Sequence, residues 1–417
     1  MSGASLKPTA LMMLLRLVLV VIAFVRASGR TALGNKFGIG CYDDTPGSPP
    51  LDAQLDAAAA LVGERGFVVL YLCAWRTHDG HSCLNESTQT SDPDSRAKLA
   101  AAYARNLTVV ARIGNPYVVR DHSDLGNKNP RGGRGDTRNH TSYKTLAAAY
   151  ARFVASLPLP PHGTTGLYVT VGNEFNACNE WRCSNDINSS NMTVESMAQE
   201  VAAFYRDVSN ALAPIRDGSR GRVLYAHGAL APWTPGAACQ CGTGAALGSG
   251  REGRRFLDNM LSHAPSLFTS PSRVDWLSSH SYPFSGAGWG TRKAYRGLEW
   301  YKNETAAIAR GGGGGGGKPA KALPVIITET GWRRDASLLG FERANWTALA
   351  FERVWLGDAQ GGGGAPFLLA GGAPWQNLGW PWMNESTSWK GKRVLVPNPV
   401  FGTMQRVRCK HFPSASC

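Results

Sequence analysis

Two glutamates each follow an apolar segment of the sequence that is typical of a β-strand. Glu174 comes after Tyr168-Val-Thr-Val-Gly-Asn, and Glu329 comes after Val325-Ile-Ile-Thr. Two carboxyl groups about 5 Å apart can cleave a glycosidic bond with retention of configuration, because one protonates the leaving oxygen while the other attacks the anomeric carbon. Acids at the ends of different strands of one sheet can meet at such a distance. We therefore predict that Glu174 and Glu329 form this pair.

Each glutamate also has a simpler interpretation. A carboxylate just past a strand can cap the helix that follows, where free backbone amides favour negative charge. For a single glutamate the two interpretations are balanced, but two of them after non-adjacent strands favour a site. In such a pair, we expect burial and neighbouring charges to raise the pKa of one carboxyl, which then acts as the acid, while the other stays ionised.

The glutamates belong to a repeating pattern of apolar strands and alanine-rich helices. Eight strands are predicted, at residues 37–42, 67–74, 107–113, 167–171, 223–227, 274–279, 323–328 and 366–370. Helical runs lie between them at 51–62, 95–105, 143–156, 194–212 and 343–356. Strands that are apolar on both faces and alternate with helices indicate a buried parallel sheet, and eight such units predict a single (β/α)8 TIM barrel. Glu174 and Glu329 would follow strands four and seven, at the catalytic face of the barrel.

An open, doubly wound sheet is the alternative architecture. Gly38-Ile39-Gly40 in the first strand could begin a dinucleotide-binding motif, but the further glycine and the acid of that motif are missing. The barrel is therefore preferred. Two glycine runs, 311–317 and 361–364, precede strands seven and eight and are predicted to be flexible, inert loop insertions.

Three polar residues on neighbouring strands are candidates for the same site. Tyr282 could donate a hydrogen bond to Glu329, or be an ordinary core tyrosine. His280 could bind a sugar hydroxyl or tune a carboxylate, or be a hydrogen-bonded structural histidine. Arg112, on predicted strand three, would be costly to bury without a carboxylate partner and could hold Glu329 ionised.

Other candidates stand on predicted loops at this face. Trp375, after predicted strand eight, could stack on the apolar face of a sugar ring. Asn115 could contact substrate or simply occupy a turn. Trp380 and Trp382 could extend this stacking surface, and Trp75 and Trp332 are predicted at the same face. Any of these four could instead be a packing residue.

These motifs resemble glycoside hydrolase clan A, the retaining (β/α)8 glycosidases. Similarity to the family 17 β-1,3-glucanases lies in Gly172-Asn173-Glu174, Ser281-Tyr282-Pro283-Phe284 and Thr328-Glu329-Thr330-Gly331-Trp332. His280-x-Tyr282 is also similar to the family 5 cellulases and mannanases, and clan members usually place the arginine one strand earlier than Arg112.

The resemblance implies a role for three residues. Glu174 would be the general acid/base, Glu329 the nucleophile, and Asn173 a hydrogen-bond partner of the sugar 2-hydroxyl. The expected substrate is a β-linked glycan, with β-glucan favoured, and this chemistry needs no metal or organic cofactor. A transglycosylase differs only in using a sugar hydroxyl in place of water. Two other hypotheses are a barrel that binds carbohydrate without turnover and a structural wall glycoprotein.

The N-terminal residues predict entry into the secretory pathway. Residues 1–29 combine Lys7 and Arg16, an apolar run at 17–25, and a small-residue cleavage site at Ala27-Ser28-Gly29. The alternative is an uncleaved anchor, although the apolar stretch is shorter than a comfortable membrane span. We therefore expect residues 30–417 to form the barrel and to be secreted, at the cell wall or outside the cell, or to lie in a lumen.

Glycosylation sequons and cysteines agree with that compartment. Eight sequons stand at Asn85, Asn106, Asn139, Asn188, Asn191, Asn303, Asn345 and Asn384. Nine cysteines in this context indicate disulfides, with Cys178 and Cys183 as the nearest local pair. Cys239-x-Cys241 lacks the second ligand pair of a zinc site.

The chain has a formal net charge of +14 at pH 7. The cations are scattered over loops and form no nucleic-acid-binding module, so a solvated basic surface is the preferred interpretation. Such a surface could also attract an acidic wall polysaccharide. We expect a monomer that does not bind nucleic acid.

Overall fold

Eight parallel strands alternate with helices along the chain, as the sequence predicts. In this computed structural model the strands are β1 (Gly38–Cys41), β2 (Phe67–Leu72), β3 (Thr108–Ile113), β4 (Leu167–Val171), β5 (Val223–His227), β6 (Leu277–His280), β7 (Val325–Thr330) and β8 (Gly361–Pro366). The helices are α1 (Leu51–Val62), α2 (Pro93–Ala104), α3 (Thr141–Ser156), α4 (Val194–Gly218), α5 (Arg251–His263), α6 (Trp300–Gly311), α7 (Gly340–Ala350) and α8 (Pro399–His411).

The structure describes the barrel and parts of its loops. The described residues are 33, 35–42, 48–72, 93–113, 141–161, 166–176, 194–232, 251–269, 273–285, 288–289, 297–311, 322–332, 340–358, 361–366, 369, 381–387, 393–413 and 417. Among them, two short hairpins pair Phe284–Ser285 with Gly288–Trp289 and Met383–Thr387 with Arg393–Pro397. No helix among these residues is long and apolar enough to cross a membrane.

The strands pair in sequence order in two parallel ladders that meet at two seams. One ladder runs from β1 to β5, and the other joins β6, β7 and β8. At the first seam, Phe37 forms a parallel bridge with Gly364 of β8. At the second, the Asp275 amide donates to the Tyr225 carbonyl of β5 over 2.8 Å. The eight strands thus form the (β/α)8 arrangement that the sequence predicts.

Alternate residues of each strand face the inside of the barrel. Val68 and Leu70 of β2 belong to the large apolar cluster that also contains residues of the surrounding helices. Phe67 and Val69 of the same strand belong to a separate cluster with Tyr168 and other strand residues. Since side chains alternate across a strand, the inward series on β2 continues to Tyr71 at the carboxyl end.

The glycines of the first strand make room for aromatic rings. A Cβ atom on Gly38 would lie 2.2 Å from the Phe67 ring, and one on Gly40 would lie 2.7 Å from the Tyr42 ring. Both distances are too short for real atoms. Gly38-Ile39-Gly40 is therefore explained by packing inside the barrel, and the structure agrees with rejecting a dinucleotide-binding motif.

The eighth strand differs from its prediction. Residues 361–364 were predicted as an inert loop and the strand at 366–370, but Gly361–Pro366 forms β8 and pairs with β7. A Cβ atom on Gly363 would lie 2.4 Å from the Lys36 carbonyl oxygen, and Gly363 has a φ of +125°. Only glycine fits there. The predicted loop is wrong because glycine has a low strand propensity on average, but it is required in a strand where two backbones approach closely.

Cysteine pairing is described only at the C-terminus, where Cys409 bonds to Cys417. The predicted pair Cys178–Cys183, Cys239-x-Cys241 and residues 1–29 lie outside the described residues.

A buried carboxyl on the outer side of β6 generates a stability prediction. Glu304 of α6 is 2% exposed and bonds to the Ser279 hydroxyl, and burial raises its pKa to about 8 from an ordinary 4.5. Between these values the folded protein keeps a proton that the unfolded chain loses, so the free energy of unfolding falls as pH rises. Glu304→Gln should remove this fall, on the order of 1 kcal/mol per pH unit. Urea unfolding at several pH values from 5 to 8 measures it.

Glu299→Gln is the matched control, because its half-exposed side chain stands just before the same helix. Parallel pH dependences for Glu304→Gln and the unchanged protein would contradict the prediction.

Candidate active site

The turn after β4 holds Glu174 in an unusual backbone conformation. Gly172 has a φ of +82°, and a Cβ atom there would lie 2.2 Å from the Phe175 ring. Glu174 itself has a φ of +45°, a region that non-glycine residues seldom adopt. Its amide donates to the Ala229 carbonyl over 2.8 Å, which ties the turn to the segment after β5. A strained residue held in this way is common at functional sites.

Glu329 lies near the carboxyl end of β7 and is 7% exposed. Its Oε1 atom accepts from Arg112, and the Tyr42 hydroxyl is 3.4 Å away. Its Oε2 atom accepts from the Tyr282 hydroxyl over 2.9 Å. Both oxygens are therefore held by donors from three other strands or strand ends.

These partners keep Glu329 ionised. Burial by itself would raise the pKa of this carboxyl, but the adjacent His280 ring and the positive charge of Arg112 outweigh burial. Hydrogen bonds from Arg112 and Tyr282 add to the effect, so the pKa lies below its ordinary value. Burial and the charges of Glu329 and Glu174 raise the pKa of Tyr282, which stays a donor.

Arg112 lies at the centre of the site and contacts side chains from several strands. The guanidinium is 1% exposed and, besides Glu329, donates to the Tyr71 hydroxyl and to Asn173 Oδ1, the latter over 2.8 Å. Its second terminal nitrogen lies 3.2 Å from His280 Nε2 and 3.3 Å from the Thr328 carbonyl oxygen. The cost of burying this charge is met by a carboxylate and several acceptors, as the sequence requires.

His280 bridges the two glutamates. Its Nδ1 atom lies 2.7 Å from Glu174 Oε1 and 3.5 Å from Glu329 Oε2, and the ring has no exposed surface. One oxygen of Glu174, one of Glu329 and one His280 nitrogen all lie within 4.8 Å of one another. Retention needs carboxyl groups about 5 Å apart, whereas inversion needs roughly 6.5–9.5 Å. The spacing suits a double displacement.

The same three side chains are also the one group in the described residues with metal-ligand types this close together. The ligand atoms of Glu329 already have partners, since its two oxygens accept hydrogen bonds from Arg112 and Tyr282. A buried guanidinium bonded to the carboxylate would also repel a cation. These three side chains therefore suit proton transfer and nucleophilic attack better than they suit the binding of a metal ion.

The structure brings together six of the seven predicted site residues, which are Arg112, Asn173, Glu174, His280, Tyr282 and Glu329. The seventh, Trp375, lies outside the described residues, as do Asn115, Trp75 and Trp380. Trp332 and Trp382 are 3% and 2% exposed and belong to the apolar core. The hypothesis that Trp382 extends a sugar-stacking surface is therefore wrong, because its ring packs against other apolar side chains, and the same packing accounts for Trp332.

Two tyrosines were missed in the sequence. Tyr71 pairs in register with Arg112 and accepts its hydrogen bond, while Tyr42 follows β1 and approaches Glu329. Their rings contact each other at a centroid distance of 4.4 Å. Tyr71 could have been found because it shares the inward series of Phe67 and Val69 and lies near the carboxyl end of the strand that neighbours Arg112.

No protein-family model and no curated protein matches this sequence. Solved structures of similar shape include a family 39 glycoside hydrolase from the gut symbiont Bacteroides cellulosilyticus, with a TM-score of 0.53, 16% identity, 89% of this chain covered and 63% of that chain. A β-glycosidase gives a TM-score of 0.51 and 12% identity, with 93% and 99% covered. This chain spans less than two thirds of the length of the first. Identities this low show the fold alone, and the chain shares the (β/α)8 fold of these enzymes.

Proposed function

We propose that the chain is a retaining glycoside hydrolase acting on a β-linked glycan, with Glu174 as acid/base and Glu329 as nucleophile. The observation that carries the proposal is the approach of one oxygen of each carboxyl within 4.8 Å, with Arg112 holding Glu329 ionised. The names of the two structural neighbours, a glycoside hydrolase and a β-glycosidase, support the same class of reaction.

The proposed reaction has two displacements. In the first, a Glu329 oxygen attacks the anomeric carbon while Glu174 gives its proton to the leaving glycosidic oxygen, which forms a glycosyl ester and frees the alcohol. In the second, Glu174 takes a proton from water, the water oxygen attacks the same carbon, and Glu329 leaves as a carboxylate. Both glutamates return to their starting states, and the configuration is retained.

Asn173 has a defined part in sugar binding under this proposal. Its Oδ1 atom accepts from Arg112, so the hydrogens on Nδ2 are the ones available to a substrate. Asn173 would therefore donate to the 2-hydroxyl oxygen. Sugar stacking by Trp375 belongs to the same proposal, and so does a preference for β-glucan, which rests on the family 17-like motifs.

We also propose that the protein is secreted or lumenal and glycosylated. The apolar N-terminal segment, the eight sequons and the nine cysteines support this location. Three of the sequon asparagines, Asn106, Asn303 and Asn345, are exposed on the described surface.

Substitution of the two glutamates should separate their roles. Glu329→Gln should lower turnover on the order of 10⁴-fold or more on every substrate, because no nucleophile is left. Glu174→Ala should slow glycans about 10²–10⁴-fold but spare the first step for aryl glycosides whose leaving group needs no acid. Azide should rescue Glu174→Ala and yield a glycosyl azide of retained configuration, detected by NMR.

The substrate panel should contain β-1,3-glucan, mixed-linkage glucan, cellulose, β-mannan, β-galactan and β-xylan. Glu352→Gln is the carboxyl control and should keep full activity, because the Glu352 side chain pairs with Lys410 and takes no part in the proposed site. Equal turnover by both active-site variants and the unchanged protein would refute the assignment. Binding of one glycan without cleavage would favour the non-catalytic hypothesis.

Loss of the Arg112 charge should move the acid limb of the pH profile. Glu329 must be ionised to attack, and its pKa lies below the ordinary value, so activity should persist to low pH. Arg112→Gln should raise that pKa and shift the acid limb of kcat/KM upward by a unit or more, roughly the effect of one close charge. Tyr282→Phe, which removes one hydrogen bond and no charge, should give a smaller shift in the same direction. Unshifted acid limbs in both folded variants would contradict the role given to these donors.

Glycosylation can be tested site by site. In a eukaryotic secretion host, Asn106→Gln, Asn303→Gln and Asn345→Gln should each remove one glycan, seen as a mobility shift that a glycosidase for N-glycans abolishes. Asn210→Gln is the control, because Asn210 is exposed but stands in no sequon. Identical mobilities before and after deglycosylation would count against the secretory location.

A further inference from the structure

We propose that Arg112 fixes the His280 ring proton on Nδ1, so that His280 occupies Oε1 of Glu174 and leaves Oε2 as the oxygen that delivers the acid proton. The inference rests on the proposed function and deepens it. His280 is a positioning residue here, since it acts on the substrate through Glu174.

The first step of the argument is the identity of the donor at Nε2. Arginine carries five N–H donors and no acceptor. Its Nη2 atom lies 3.2 Å from His280 Nε2, and the guanidinium cannot turn away because Glu329, Asn173 and Tyr71 hold it. Nε2 must therefore accept with its lone pair. A proton on Nε2 would face a cation at hydrogen-bond distance.

The second step is the proton on Nδ1. A neutral imidazole that accepts at one nitrogen carries its hydrogen on the other. Nδ1 is 2.7 Å from Glu174 Oε1 but 3.5 Å from Glu329 Oε2, so Glu174 receives the hydrogen bond. With its ring fully buried and both nitrogens engaged, His280 has no atom left for a sugar hydroxyl.

The backbone supports this orientation. The register between β6 and β7 shifts between Ser279 and His280, which places His280 opposite Glu329. The Tyr282 ring packs against His280 edge-on at 6.3 Å between centroids. The charged or titratable groups that face His280 are Arg112 from β3, Glu174 after β4, Tyr282 after β6 and Glu329 on β7.

A chemical consequence follows for Glu174. Oε1 already accepts a hydrogen bond, so the acid proton resides on Oε2, and only one of the two carboxyl oxygens can protonate the leaving group. Without the bond from His280, the proton would be shared between both oxygens.

Two substitutions at position 280 separate donation from packing. The side-chain amide of His280→Asn matches the reach of Nδ1 and can still donate to Glu174. The amide of His280→Gln matches the reach of Nε2 and can only face Arg112. Each is assayed on aryl β-glycosides of graded leaving-group pKa, with Glu174→Ala for comparison and circular dichroism as a check of folding.

His280→Gln should lose about tenfold or more in kcat/KM on poor leaving groups and little on good ones. His280→Asn should restore most of the rate on poor leaving groups. Equal losses on all leaving groups in both variants would mean that His280 only packs and would overturn the proposal.

A direct measurement does not depend on turnover. In ¹⁵N-histidine-labelled protein, with the His280 signal assigned by its loss in His280→Asn, long-range ¹H–¹⁵N spectra at the assay pH should show a hydrogen on Nδ1 and none on Nε2. A hydrogen on Nε2 would overturn the proposal. If the unchanged protein cleaves no glycoside, the proposed function fails, and the spectra alone decide the tautomer.

Discussion

The ion pair between Arg112 and Glu329 is the interaction on which the centre of the molecule depends. A guanidinium inside a barrel costs several kcal/mol unless its charge and its hydrogens are all engaged. Here the charge faces Glu329, and other acceptors come from β2, the turn after β4, β6 and β7. Because the partners come from several different strands, the pair forms only when these strands are assembled in register. Folding and the ionisation of Glu329 are therefore linked.

The strands supply these partners through their two-residue alternation. Toward the carboxyl ends of β2 and β3 the inward positions change from apolar to polar, so Val69 gives way to Tyr71 and Val110 to Arg112. The apolar layer excludes water from below the ion pair, which strengthens every hydrogen bond above it. The glycines of β1 serve the same layer, because the Phe67 ring fills the space that a side chain on Gly38 would need.

The position of Glu174 has a different origin. It is set by a turn that holds a non-glycine residue at positive φ, and the bond to Ala229 keeps that turn in place. Glu329 is placed by a regular strand and a network of donors. His280 lies between the two carboxyl groups, so its buried ring couples the position of one to the position of the other.

The sequence by itself determined which residues the proposal places in the active site. A glutamate ending a Val- and Ile-rich strand is recognisable without a structure, and so is an arginine that must find a carboxylate once its strand is buried. The tertiary structure decided what these residues do to one another. Tyr42 and Glu329 are 287 residues apart in the chain, so no local pattern could reveal their contact. The close approach of the Lys36 and Gly363 backbones likewise joins residues far apart in the chain. Because of that approach, a run of glycines forms a strand. Strand composition is local, whereas the distances between strand ends depend on the register and closure of the whole barrel.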